Sequence, residues 1–253
     1  MQVWKYFGVI FLVSIPFWTF GAVADHEFLP GLPVSSLMII CPVAVAAAFV
    51  FRDQGTEGLN AFLLRAVDIH KLKLWAWLLA VMTMPAVMTL SAVWQMSFGG
   101  GLPQFEIDPL QTLSLFCLFF IAATAEELGW TGFAANPLIK SFGIVLAGLI
   151  IGFVAALWHI FPLLQADRSW SWIAWWFAGT ISRRVLIVWA YERGGQSVFG
   201  ASLFHTMSNL SWMMFPAMGS HFDPMVTACI MTSVTAVILL ISYKVQKSEA
   251  PTL

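Results

Sequence analysis

Residues 110–133 read LQTLSLFCLFFIAATAEELGWTGF, and the first sixteen of them carry no charge before Glu126 and Glu127 stand side by side. About 20 mostly apolar residues are needed to cross the hydrocarbon core of a bilayer as a helix. Lipid offers nothing to an unpaired backbone group, and the period-two alternation of a membrane barrel is absent, so this stretch predicts a transmembrane helix. Working outward, comparable apolar stretches recur at 4–24, 34–51, 74–96, 142–164, 170–190, 197–215 and 225–243. The expectation is an all-α, polytopic integral membrane helix bundle of about eight transmembrane helices.

Composition agrees. Of 253 residues 60% are hydrophobic and 10% charged, and mean hydropathy is +0.84. Soluble domains run about 45–50% apolar and about 25% charged, so a soluble enzyme and a disordered chain are both excluded. The lipid bilayer is therefore the first partner. A net charge of −1 leaves no electrostatic footprint for nucleic acid. Cys41, Cys117 and Cys229 each lie in an apolar run without paired or metal-ligand spacing and read as small packing residues. No soluble domain, internal repeat or low-complexity tract interrupts residues 1–253, which form a single membrane domain. Turn chemistry marks the breaks at 29–33, 99–103, Asn136-Pro137, Gly194-Gly195 and Phe215-Pro216. Between 52 and 73, Leu59, Phe62, Leu63, Ala66 and Val67 recur at helical spacing and predict a short helix on the inner leaflet.

Lys and Arg set the orientation. With the N-terminus inside, Lys5, Arg52, Arg65, Lys71, Lys73, Lys140, Arg183, Arg184, Arg193, Lys244 and Lys247 fall on the inner side and Arg168 alone outside. Asp25, Glu27, Glu106, Asp108, Asp167 and Asp223 fall outside. Both termini are expected to be cytoplasmic. The first span could also be read as a secretory signal, with Ala22-Val23-Ala24 as a cleavage site, but its apolar run exceeds the usual signal core of about 7–15 residues.

Charge inside the membrane costs about 2.5–3.5 kcal/mol per group on insertion scales, so groups kept there need a reason. Away from the span ends stand Glu126, Glu127, His159 and His205, with Asn209 as the strongly polar amide. Adjacent glutamates point about 100° apart on a helix, so one can face a reaction centre while its neighbour meets a supporting partner. His205 and Asn209, at i and i+4, share a face. A carboxylate, two imidazoles and an amide can polarise a water and stabilise an oxyanion. Glu126, His159 and His205 could equally hold a divalent metal such as zinc with a water in the open position. The competing reading is structural, with the same groups serving as interhelical glue in a non-catalytic scaffold. A transporter is disfavoured because no inverted repeat or paired broken helix is evident. Straight upright helices would put Glu126 near the inner face and His159 near the outer one, so the cluster requires tilt or a re-entrant segment after Gly129, with Asn136-Pro137 as the break.

Three strings in order, EELGWTGFAANPL from Glu126, Ala155-Ala156-Leu157-Trp158-His159, and SVFGASLFHTMSNL from Ser197, resemble the CPBP intramembrane protease family, which includes the type II CAAX prenyl endopeptidases and the Abi bacteriocin-immunity proteins. The resemblance covers about 110–215. Family members carry two Glu and, after three intervening residues, an Arg; then Phe-x-x-x-His; then His-x-x-x-Asn or Asp. Glu126 and Glu127, His159, and His205 with Asn209 match. Thr131 stands where the Arg is usual and Ala155 where the Phe is usual; losing the Arg removes a fixed cation beside the glutamates, and Thr131 can donate a hydrogen bond to Glu127 one turn back.

The resemblance implies an eight-helix, multi-pass protein of the bacterial plasma membrane that hydrolyses a peptide bond, as an intramembrane endopeptidase of the CAAX prenyl protease type. Glu126 with His159 would activate the water, and His205 with Asn209 would stabilise the oxyanion or complete a metal site. A peptide or protein substrate is implied, prenylated in one branch, while a non-catalytic bacteriocin-immunity role is the alternative within the family. Other intramembrane proteases fit poorly: no His-Glu-x-x-His or Gly-x-Gly-Asp string is present, and Leu203 follows Gly200-Ala201-Ser202 where a rhomboid-type serine motif has Gly. Trp130 and Trp158, beside the candidate groups, read as wall packing, with contact to a substrate lipid as the sharper alternative.

Overall fold

The computed structural model describes residues 2–24, 26–98, 101, 108–216 and 218–249. Nine helices follow one another among these residues: α1 (Gln2–Val23), α2 (Ile40–Leu63), α3 (Leu74–Ser97), α4 (Pro109–Glu127), α5 (Asn136–Trp158), the short α6 (Ile160–Gln165), α7 (Trp170–Gly194), α8 (Val198–Met213) and α9 (Pro224–Glu249). All except α6 are long helices, matching the expected eight. Among the described residues five stretches are long and apolar enough to cross a membrane, Pro109–Trp158 holding 50 residues. The protein is an all-α, multi-pass membrane bundle.

The helix starts carry the chemistry that free N–H groups need. Asp108 accepts from the backbone N–H of Leu110 and Gln111 at 2.9 and 3.3 Å, with Pro109 at the first helical position. Asp223 does the same for Met225 and Val226. The start of α8 is capped twice. Ser197 accepts from Gly200 at 3.1 Å, and the buried Asp68, from the preceding inner segment, accepts from Val198 and Phe199.

Several breaks differ from the sequence reading. Asn136-Pro137 does not end a helix: proline sits in the first turn of α5, where its missing N–H leaves no bond unmade. Between α4 and α5 the chain continues as a π-helical segment, Leu128–Ala135. The interruption comes at Gly143, whose φ of 78° and ψ of 169° lie outside the helical region. Gly55, with φ 66°, breaks α2 in the same way and sets off the inner segment expected at 59–67. The break at 29–33 is a small antiparallel hairpin, β1 (Glu27–Leu29) with β2 (Leu32–Pro33), turned at Gly31 and tied by its N–H to Glu27 at 3.0 Å. Much of the break expected at 99–103, along with Asp25 and Glu106, lies outside the described residues.

α5 lies on α7, α7 on α9, and α3 and α4 on α8. Contact is close where side chains are small. A Cβ added to Gly148 would sit 2.7 Å from the Cα of Val185, and one on Gly152 would sit 3.0 Å from that of Ile181. Small residues let membrane helices approach where lipid supplies no hydrophobic drive between them. One apolar core joins α1, α2, the π segment and α5, with Trp130 and Trp158 fully buried in it, and a second joins α3, α7, α8 and α9. Cys41 is buried as expected of a packing residue, but Cys117 and Cys229 lie exposed on the bundle surface, correcting that reading for two of the three.

Candidate active site

A cavity of about 470 Å³ opens between α3, α4, α5, α7, α8 and α9. Glu126, His159, His205 and Asn209 all line it. The depth conflict raised by straight helices is absent because α4 runs on through the π segment and the chain turns back only at Gly143, which sets Glu126 deeper in the helix path than a turn at Pro137 would.

The two glutamates part as neighbours on a helix must. Glu126 lines the cavity, is 4% exposed, and accepts a hydrogen bond from Trp130 Nε1 at 3.2 Å. Glu127 is fully buried and outside the lining. Its Oε1 meets His205 Nδ1 at 2.8 Å, its Oε2 accepts from the Thr131 hydroxyl, and Arg184 Nη1 donates to both oxygens at 2.6 and 2.7 Å. Thr131 thus makes the bond to Glu127 that its spacing allows. Ala155 lines the cavity, and its carbonyl holds His159 Nδ1 at 2.8 Å.

Both histidines are therefore held at the same nitrogen. A carbonyl and a carboxylate only accept, so Nδ1 of each ring carries the proton and Nε2 is the nitrogen left for chemistry. His159 is fixed further by edge contact with Trp158 and by Trp176 of α7, with ring centroids 4.8 and 5.4 Å away, and it lies within electrostatic reach of Glu126 and His205. Trp130 and Trp158 form the wall behind the site: Trp158 donates to Ser14 at 2.7 Å while packing edge-on against Trp130.

Arg183 and Arg184 correct the orientation count. They lie inside α7, not on the inner face: Arg184 is 3% exposed against Glu127, and Arg183 lines the cavity within electrostatic reach of Glu126. The eleven inner cations less these two leave nine against one, so the asymmetry stands. Their signal was position, since both fall thirteen or more residues into a run that begins at Trp170, where a charge needs a partner. Arg184 restores from another helix the cation that Thr131 leaves out.

Among the described residues no group of three or more His, Cys, Asp or Glu side chains is placed to hold a metal ion. Glu126, His159 and His205 as arranged do not form that set.

An all-helical bundle thus encloses a cavity that presents a carboxylate, two imidazoles and an amide, groups that an intramembrane hydrolase can use. A family model described as type II CAAX prenyl endopeptidase Rce1-like matches residues 108–211. A protein named CAAX prenyl protease 2, from Methanococcus maripaludis, is 26% identical over 230 residues, spanning 81% of this chain and 82% of the relative. By both similarities the chain resembles the type II CAAX prenyl endopeptidases, in line with the motifs at Glu126, His159 and His205.

Proposed function

We propose that the protein is an intramembrane endopeptidase in which Glu126 acts as general base. The observation that carries this reading is the convergence of Glu126, His159, His205 and Asn209, from α4, the end of α5 and α8, on one cavity. Glu126, assisted by His159 Nε2, takes a proton from a water whose oxygen attacks the substrate carbonyl carbon. Negative charge gathers on the carbonyl oxygen, where the Asn209 amide donates to it, joined by His205 Nε2–H when that ring carries a proton on both nitrogens. The C–N bond then breaks, and the amine leaves with the proton that Glu126 gives back. Held donors aimed at developing charge in a water-poor site are the main source of such acceleration.

Glu127 stays outside the reacting atoms. It fixes the ring of His205 while Arg184 fixes Glu127. The remaining lining is mostly apolar and aromatic, with Phe119, Trp172, Trp175 and Trp176 prominent. That surface suits a peptide with a bulky apolar or lipid-bearing residue next to the scissile bond, which accords with the prenyl protease name of the relative. The test is cleavage of fluorogenic peptides, with and without a prenylated cysteine, by purified protein in liposomes. Loss of cleavage in Glu126→Gln, His159→Ala and His205→Ala variants of unchanged monodispersity supports the reading; undiminished cleavage in them refutes it. The assay repeated with a chelator decides whether a metal takes part.

A further inference from the structure

Two asymmetries of the molecule have independent origins and share an axis. The first is charge. Lys5, Arg52, Arg65, Lys71, Lys73, Lys140, Arg193, Lys244 and Lys247 belong to one set of helix ends, while Arg168 belongs to the other. The second is the cavity. On α3, α5, α7, α8 and α9 its lining residues fall at mid-helix or toward the Arg168 end, and the lining includes the hairpin and the segments that precede α7 and α9. None comes from residues 40–83 or 185–204.

The opposite, cation-rich end is closed by packing. Seven of the eight residues from Leu128 to Ala135 at this end, Trp130 among them, are buried. Arg65, reaching in from the inner segment, donates to the Gly132 carbonyl and, at 2.6 Å, to the Tyr191 hydroxyl. Asp68 clamps the start of α8, so the same segment is tied at two points. Cation-rich loops stay in the cytoplasm. Cavity and charge therefore point to opposite sides of the membrane.

We propose that the site is loaded from the non-cytoplasmic side, through a mouth flanked by Phe28, Arg168 and Trp172, and that its substrate is a peptide segment presented at the outer surface of the membrane and not a cytoplasmic tail. The substrate half of this statement rests on the peptidase reading; the access half does not.

Cysteine accessibility tests it. In the full-length chain Cys41, Cys117 and Cys229 are replaced by Ala, and Phe28→Cys at the mouth, Ser208→Cys in the cavity wall, or Glu57→Cys on the inner segment is added singly. Cells expressing each variant are treated with a membrane-impermeant thiol reagent before and after permeabilisation. Each variant is kept only if it elutes as a monodisperse peak in detergent. Labelling of Phe28→Cys and Ser208→Cys in intact cells, with Glu57→Cys labelled only after permeabilisation, is the expected result. Labelling of Ser208→Cys only after permeabilisation, or under neither condition, overturns the proposal, as does labelling of Glu57→Cys in intact cells.

A second arm uses a membrane-tethered peptide, made with its cleavable segment on either side of the membrane. Preferential cleavage of the outward-facing version, by at least tenfold, is expected. Equal or inward-preferring cleavage overturns the substrate half. Cleavage of neither version, with the labelling pattern intact, removes the peptidase reading and leaves the access route standing.

Discussion

Arg184 donates from a single nitrogen to both carboxylate oxygens of Glu127, 57 positions earlier in the chain, and both side chains are buried. Removing one partner of such a pair leaves the other charge uncompensated in a low-dielectric site, at about 3–5 kcal/mol. Arg184→Met is expected to lower the melting temperature markedly and to reduce cleavage. Combining it with Glu127→Gln should cost less than the sum of the single changes, because contacting residues couple by about 0.5–3 kcal/mol. Additive losses in a thermal-shift cycle would show that the ion pair is not the coupling element.

Thr131 lies one turn from Glu127, so an arginine there can reach the same carboxylate. Thr131→Arg introduced into Arg184→Met is expected to regain at least tenfold in kcat/KM over Arg184→Met alone. A double variant no better than the single one would separate Arg184 from the role of a movable cation. This exchange also shows what was legible in the sequence. Glu126, His159, His205 and Asn209 could be picked out because charge and amide are scarce inside apolar runs. Arg184 was not, because cations near the end of a run look like loop residues until the depth of the helix is known. The turn at Gly143 was hidden for a related reason: Asn136-Pro137 carries the louder break signal, yet proline in a first helical turn disturbs nothing.

Glu126 and Glu127 should respond differently to the same change. Glu126→Gln keeps the size and the Trp130 contact but removes the base, so kcat should fall by about 10²–10⁴-fold with stability nearly unchanged. Glu127→Gln should mainly lower stability, since it strands Arg184. Turnover in proteoliposomes and thermal unfolding of each variant separate the two outcomes, and equal behaviour would contradict the division of roles.

Asn209 is half-buried in the cavity wall, one turn beyond His205 on the same face of α8. If it stabilises the oxyanion, Asn209→Ala should lower kcat by about 10²–10³-fold with little change in KM, as loss of one such donor does. A rise in KM at constant kcat would place it in substrate binding instead.

Gly148 tests the packing that holds α7 against α5. A side chain there meets Val185 backbone at 2.7 Å from the first carbon. Gly148→Val is expected to destabilise by about 1–3 kcal/mol, the range for overpacking, and to reduce cleavage by displacing Arg184 on the facing helix. A melting temperature equal to that of the parent protein would show that the interface yields more easily than its geometry indicates.

The grip of Arg65 on Gly132 and Tyr191 bears on more than the shape of the site. Hydrolysis needs water, and a water-bearing chamber that reaches halfway through a bilayer thins the barrier that holds ion and proton gradients. The packed end beneath the cavity, pinned by that arginine, keeps the chamber a blind well. A peptidase of this form can wet its catalytic groups without becoming a leak, and both product fragments must leave through the mouth by which the substrate entered.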